Sequence, residues 1–503
     1  DVRAFDGTAG IVQPAIAPLY DTRSALEVLA LLDDDTLRSG HDLVQRFWRQ
    51  RIGEQRFDDF WNASLRQGFI TDSSMAVIHG EEPPAPQTPA IVPPSSADSL
   101  TAIFAEDAAV ADGSFANIGW LQELPRSASK LTWDNAVLIG PKTAENLQLR
   151  DGSVVRLARG NRALEAPVLV MPTHAENCIT LPLGYGRRNA GRVGNGVGFD
   201  AYSLRPLTGS VAQVRLTRTG RQYDFAITQH ETSMHGRDIV RTVAARNAAA
   251  AQHKQQPSLY PQPQSPVHAW AMNIDLDACI GCNACTIACQ AENNIPVVGK
   301  EEVKRGRVMH WIRVDRYIER RNARDLMLFQ PVPCMHCEDA PCEAVCPVGA
   351  TVHDSEGLNV QVYNRCVGTR FCSNNCPYKV RRFNFLAYAN TEVESLKALQ
   401  NPDVTVRRRG VMEKCSYCVQ RISRARINAE RSGTPLVDGD VVTACEAACP
   451  TQAIVFGDLR DANSRVSSAR KSSRHYVLLE ELNTRPRTTY LARVLDSDDG
   501  EVS

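Results

Sequence analysis

No run in this sequence approaches the roughly 18–20 apolar residues that a membrane-spanning helix requires. Neither sign of charge is in excess, with 57 Lys plus Arg against 57 Asp plus Glu, so net charge gives no case for nucleic acid as a partner. Aromatic residues are sparse at 6%, and a hydrophobic share of 43% is that of an ordinary globular protein. No CxxCH occurs, which leaves this chain without a c-type haem attachment motif. No acid–base pair or nucleophile constellation stands out, so no catalytic residue is assigned. Cysteine is nearly absent from most of the chain: Cys178 is the only one of sixteen outside the block Cys279–Cys449. The first residue is Asp1 and no signal-like segment follows. Processing, or a place within a longer polypeptide, would each explain that start. A length of 503 residues allows about three domains.

What is present is concentrated in that block. Its fifteen cysteines form four groups. The first is Cys279, Cys282, Cys285 and Cys289; the second is Cys334, Cys337, Cys342 and Cys346. The third is Cys366, Cys372 and Cys376, and the fourth is Cys415, Cys418, Cys445 and Cys449. Each fits C-x2-C-x(n)-C-x3-C, the run that holds a cubane iron–sulfur cluster in bacterial ferredoxins. The C-x2-C step turns two thiolates inward around one loop, and a third cysteine completes three corners. The x3 step moves the fourth one helical turn on, toward a neighbouring cluster. Pro347, Pro377 and Pro450, after the last cysteine of three groups, belong to the same signature.

The third group departs from the scheme at Thr369, where its second cysteine would stand. A hydroxyl is a poor ligand for a thiophilic iron corner. Four cubanes need sixteen thiolates and the block offers fifteen, so the expectation is three [4Fe-4S] clusters and one [3Fe-4S] cluster. A disulfide framework suits an even count in a short secreted chain. Structural zinc uses C-x2-C pairs without the repeated x3 step. Neither matches this block.

Along the rest of the chain, residues 1–98 read as mostly helical, ending in the proline-rich EEPPAPQTPAIVPPSS, a linker. Val44, Phe47, Trp48, Phe57, Phe60, Trp61 and Leu65 fall at helical spacings and read as core. Residues 99–220 hold short Val-, Ile- and Leu-rich segments broken by turns, which predicts a small barrel. Its glycine-rich stretch carries Arg187, Arg188 and Arg192; backbone amides there would suit phosphate, but it matches neither GxGxxG nor a P-loop. His230 and His235 are five apart, not the four of HExxH, and read as surface or hydrogen-bonded side chains. Residues 221–266 read as a connector, 267–460 as the cysteine-rich domain and 461–503 as a tail. Residues 365–431 carry fourteen Lys or Arg against five Asp or Glu. A solvated face, charge compensation of clusters and docking onto an acidic or anionic partner are all open readings. His336, inside CMHC, reads as a neighbour of a ligand rather than a ligand.

Two resemblances add to this. WDNAVLIGPKTAENLQLRDGSVVRL and the glycine-rich tail look like the C-terminal pterin-dinucleotide-binding barrel of the molybdopterin oxidoreductase superfamily. The opening DGTAGIVQPAIAPLYDTRSALEVL resembles an upstream portion of that superfamily. The cysteine block, with CMHCEDAPC, CPYKVRRFNF and KCSYCVQRI, resembles the four-cluster electron-transfer subunits of polysulfide reductase-type enzymes. That resemblance pairs group one with four and two with three. It implies cubanes on Cys279, Cys282, Cys285 and Cys449; on Cys415, Cys418, Cys445 and Cys289; and on Cys334, Cys337, Cys342 and Cys376. A [3Fe-4S] cluster would fall to Cys366, Cys372 and Cys346.

The two parts in one chain resemble the iron–sulfur subunit of alternative complex III, a quinol-oxidising assembly. The implied fold class is α+β and multidomain: a molybdopterin-oxidoreductase-type C-terminal β-barrel plus a double bacterial-ferredoxin-like four-cluster module. Other implications are one-electron relay, no molybdenum cofactor, polytopic quinol-binding membrane subunits and c-type cytochrome subunits as partners. A molybdopterin-like upstream portion of the same polypeptide would be a further neighbour. The implied location is peripheral, on the periplasmic face of a bacterial inner membrane. The rival expectation is the iron–sulfur part of a molybdenum oxidoreductase of the polysulfide reductase type; a third is a scaffold whose cysteines hold nothing.

Overall fold

The computed structural model describes residues 1–18, 20–33, 39–76, 99–244, 257–258, 261, 265, 267–321, 324–389 and 392–495. The chain divides into two compact units, Asp1–Val92 and Pro93–Ser503. The proline-rich linker and most of the Gln- and Pro-rich connector lie outside the described residues.

The smaller unit pairs β1 (Val2–Arg3) with β2 (Ala9–Gly10) and adds α1 (Ala25–Leu32), α2 (Gly40–Ile52) and α3 (Glu54–Gln67). A capping box starts α1: the Ser24 side chain accepts from Glu27 N, and the Glu27 carboxylate accepts from Ser24 N. Trp48, Phe57 and Trp61 are buried together with Val44, Phe60 and Leu65 against them, as the helical spacing predicts. Phe47 instead turns outward, 44% exposed.

In the larger unit the short apolar segments of 99–220 close into a six-stranded barrel, as predicted. They are β3 (Ser99–Ala105), β5 (Val137–Ile139), β6 (Ser153–Arg159), β7 (Arg162–Val170), β8 (Cys178–Pro182) and β9 (Val211–Gln222); β4 (Leu131–Thr132) lies outside the ring. The order is β3-β8-β5-β7-β6-β9. Long β9 closes the ring, pairing through Val211–Arg215 with β3 and through Arg215–Gln222 with β6, the latter with a register shift between Ser153 and Val155. Ala102, Phe104, Ile139, Leu157, Val168, Ile179 and Leu181 alternate inward to fill it. Short α4 (Gly119–Glu123) leads into the barrel and α5 (Pro141–Asn146) follows β5.

Part of the stretch expected as a connector is ordered. β10 (Ala226–Ile227) pairs with β4, and β11 (Thr242–Ala244) runs parallel to Arg493–Leu495. After it, β12 (Trp270–Asp275) enters a sheet of order β19-β12-β21-β20, with β19 (Ile454–Asp458), β20 (His475–Tyr476) and β21 (Thr488–Leu491). Between β12 and β19 come three antiparallel pairs: β13 (Arg313–Arg321) with β14 (Arg324–Val332), β15 (Thr351–His353) with β16 (Asn359–Gln361), and β17 (Arg382–Phe383) with β18 (Met412–Glu413). The expected tail is therefore no tail: β21 lies beside β12, in parallel, inside the sheet. All four β21 residues are buried, and a strand covered on both faces has no alternating pattern to betray it.

Candidate metal centres

The cysteine groups hang on short loops and helices around this sheet. α6 (Ala284–Glu292) carries Cys285 and Cys289; after α7 (Lys300–Lys304), α8 (Pro341–Ala344) carries Cys342 and α9 (Phe371–Asn375) carries Cys372. Following α10 (Glu394–Lys397) and α11 (Val419–Ser432), α12 (Ala444–Ala447) carries Cys445. Helix α6 packs against α12, and α8 against α9, so group one meets group four and group two meets group three.

The four C-x2-C turns share one backbone feature. The residue before the second cysteine position is left-handed in each: Gly281 (φ 69°), His336 (φ 43°), Gly368 (φ 74°) and Tyr417 (φ 54°). Two of them have no room for a side chain. A Cβ on Gly281 would lie 2.4 Å from Phe329 Cγ, and one on Gly368 would lie 2.7 Å from Gly410 O. His336 and Tyr417, bearing side chains at strained φ, stack on each other at 3.8 Å. Thr369 follows Gly368 in a turn that keeps the common conformation, and it is exposed.

The sulfurs gather across groups. Burial raises the Cys285 thiol to about 12, and Cys279, Cys282 and Cys449 push it the same way. Burial also raises Cys289 far above the usual thiol value, reinforced by Cys415, Cys418 and Cys445. Cys337 is raised by burial and then by Cys334, Cys376 and Cys342. Cys372 is raised by burial, opposed by Arg381, with Cys366 and Cys346 adding to the rise. In each of these four sets the neighbouring sulfurs oppose ionisation of the named thiol. Charge is also felt from set to set: Cys445 feels Cys285, Cys415 feels Cys334, and Arg381 feels Cys334, Cys342 and Cys372 together. Cysteines of the two middle sets are all buried, whereas Cys282 in one end set is exposed and Cys346, Cys366 and Cys372 at the other end are half-buried.

The donor set suits thiolates bound to a cationic core, which reverses the preference for the neutral thiol. Backbone amides point at sulfur from Ala350 to Cys346 (3.2 Å), Met412 to Cys366 (3.4 Å), Tyr417 to Cys415 (3.4 Å) and Ala453 to Cys449 (3.2 Å). Asn293 Nδ2 donates to Cys289 Sγ at 3.5 Å, and Arg381 Nη2 to Cys342 Sγ at 3.0 Å. None of the sixteen cysteines is in a disulfide. Among the described residues no three His, Cys, Asp or Glu side chains close on one point as a single metal ion needs; lone zinc draws its thiolates to about 2.3 Å.

Other singled-out residues do not join a site. Arg187, Arg188 and Arg192 are exposed on the glycine-rich loop, and none lines the cleft of about 400 Å³ between Asn135, Glu165, Gly198 and Tyr223. His235 pairs with Glu231 at 3.3 Å. Cys178 is half-buried in β8. His336 is fully buried: its Nδ1 accepts from Asn359 N and its Nε2 donates to Cys415 O at 3.0 Å, so it joins two cysteine loops. Three buried cations were not singled out by sequence. Arg381 is 6% exposed, Lys414 1%, and Arg407 pairs with Glu413 at 2.9 Å with both side chains 1% exposed. All three belong to the basic run 365–431, whose composition does not say which members turn inward.

Models of the 4Fe-4S dicluster domain match residues 278–350 and 326–393. The menaquinone reductase iron-sulfur cluster-binding subunit of Nitratidesulfovibrio vulgaris is 42% identical over 232 residues, 44% of this chain and 89% of that protein. A putative dimethyl sulfoxide reductase iron-sulfur subunit of Halobacterium salinarum is 35% identical over 44% of this chain and 78% of its own length. The Hdr-like menaquinol oxidoreductase iron-sulfur subunit 1 of Archaeoglobus fulgidus is 31% identical over 44% and 82%. Acetylene hydratase from Pelobacter acetylenicus aligns at 14% identity and a TM-score of 0.19 over 24% of this chain and 18% of that one, too slight a likeness to bear on the fold.

Proposed function

Because the chain belongs, through its cysteine-rich part, to the family of iron–sulfur cluster-binding subunits of oxidoreductases, we propose that it relays single electrons through four clusters in series. Cys279, Cys282, Cys285 and Cys449 hold one cubane; Cys289, Cys415, Cys418 and Cys445 hold the second. Cys334, Cys337, Cys342 and Cys376 hold the third, and Cys346, Cys366 and Cys372 hold a [3Fe-4S] cluster beside Thr369. Bound clusters supply one-electron redox chemistry. The chain's own part is to place them in line, shield the middle two and set their potentials through amide and cationic donors to sulfur. The observation that carries this reading is the packing that brings group one to group four and group two to group three, with two wholly buried cysteine sets and solvent-reaching cysteines in the other two.

In this reading the assembly is a quinol:acceptor oxidoreductase of the alternative complex III type. Among the described residues no helix is long and apolar enough to cross a membrane. The chain is then a peripheral subunit on the periplasmic face, taking electrons from a quinol-binding membrane subunit and giving them to a c-type cytochrome. The barrel is of the pterin-binding kind and serves as scaffold, with no molybdenum. Iron, acid-labile sulfide and molybdenum analysis of the purified complex, with EPR, tests it. Expected are about 15 iron atoms per chain, an oxidised [3Fe-4S] signal and no molybdenum. Four iron-loaded cubanes, or an iron-free protein, would sink the reading. The dimethyl sulfoxide reductase relative favours a second reading, a molybdenum oxidoreductase, and stoichiometric molybdenum would select it.

A further inference from the structure

Between the lead-in to the barrel and the first cysteine loop, one ammonium is sealed inside the protein. Lys130 is 1% exposed, and its Nζ has no hydrogen-bond partner. Its backbone is held in a left-handed turn (φ 58°), with Lys130 N donating to Arg126 O and Thr228 N donating to Lys130 O. The turn is stitched to the cysteine loop from both sides. Asn283 Nδ2 donates to Pro125 O at 2.8 Å, and Ser127 Oγ donates to Gly281 O at 2.6 Å. Lys130 Nζ lies 5.6 Å from the centre of the Phe329 ring, the ring on which Gly281 packs. It lines a cavity of about 250 Å³ with Asn283, Thr286, His310, Arg313 and Asp315.

Its electrostatic surroundings are explicit. Burial lowers the Lys130 ammonium to about 8, while Asp315 and then the Cys279 and Cys285 thiols favour its charged form and Arg316 opposes it. Asp315 and the sulfurs of the first cysteine group thus favour a positive charge at this position. Asp315 does not neutralise it by contact, because both its carboxylate oxygens accept from Arg313 Nε, at 2.8 and 3.0 Å. A cluster with its thiolates is a net anion that gains another negative charge on reduction. A nearby positive charge screened by little water favours the reduced form.

We propose that Lys130 sets the redox potential of the cluster held by Cys279, Cys282, Cys285 and Cys449. The barrel side of the molecule thereby controls one end of a relay built by the cysteine-rich side. This rests on the cluster reading above. The test is potentiometric titration of the full chain in its complex, each cluster followed by EPR, for Lys130→Met and Lys130→Arg. In Lys130→Met the reduced-to-oxidised ratio of that cluster at fixed potential should fall about tenfold, or 59 mV for one electron. The other three clusters should stay unmoved, and Lys130→Arg should retain most of the wild-type value. Asp315→Asn, which removes the facing negative charge, should shift the same cluster the opposite way and serves if Lys130→Met does not accumulate. An unchanged potential in these variants, or an equal shift of all four clusters, overturns the proposal. A wild-type protein without iron would instead sink the cluster reading, which keeps the two failures apart.

Discussion

At the scale of single residues, Thr369 and Arg381 carry the sharpest consequences. The turn at Gly368 keeps the backbone of its three counterparts, so a thiol at 369 starts from the correct loop. Thr369→Cys should therefore replace the oxidised [3Fe-4S] EPR signal by a reduced cubane signal and add about one iron per chain. An unaltered three-iron signal would show that the loop does not present position 369 to the cluster. Arg381 donates to Cys342 Sγ, Asn359 Oδ1, Thr351 Oγ1 and Gln361 Oε1, all from a 6%-exposed side chain. Arg381→Met removes all four donations; Gln361 Oε1 still accepts from Thr351 Oγ1, and each acceptor left buried without a donor costs about 1–3 kcal/mol. The melting temperature should drop, and the clusters assigned to the second and third groups should both move to lower potential in redox titration. Sequence shows the thiols because C-x2-C spacing is local; it hides Arg381 and Lys130, whose roles depend on which charges the tertiary fold turns inward.

At the scale of elements, α4 ends in a clasp. Glu123 is fully buried and accepts from Val298 N and Gly299 N, and from Trp133 Nε1 at 3.2 Å. Burial outweighs these donors and raises its carboxyl to about 7. A carboxyl raised above its unfolded value binds its proton more tightly when folded. That contribution to stability is full below about pH 4.5 and is lost as pH rises toward 7, by about 1.4 kcal/mol per unit. Glu123→Gln should flatten the pH dependence of the melting temperature over that window while lowering stability by about 1–2 kcal/mol at its acidic end. A parallel, undiminished slope would remove Glu123 as its source. The barrel strands were readable because alternation and β-branched residues mark one buried face. β21 was not, because Thr488–Leu491 is covered on both faces and pairs in parallel with a strand more than two hundred residues earlier.

At the scale of the whole molecule, thiols stand where a hydrophobic core would otherwise close. Cys285, Cys289, Cys334, Cys337, Cys376, Cys415 and Cys445 are packed in one cluster with Trp270, Trp311, Tyr417 and Phe456. Bound cores are then part of the folding energy of Pro93–Ser503, whereas Asp1–Val92 has its own aromatic core. Chelation of iron under reducing conditions should lower the calorimetric transition of the larger unit by many degrees and leave that of the smaller unit in place. A single unshifted transition would show that the metal contributes little to stability.

The interior position of β21 also orders events during synthesis. Thr488–Leu491 lies between β12 and β20, and Tyr490 donates to Pro331 O at 2.8 Å. A nascent chain in which Thr488–Leu491 is still inside the ribosome lacks that strand, and its thiols have one wall missing. Iron and sulfide delivered then would meet an open, oxidisable pocket. Cluster loading should accordingly follow the appearance of Thr488–Leu491 and fail in chains cut before it.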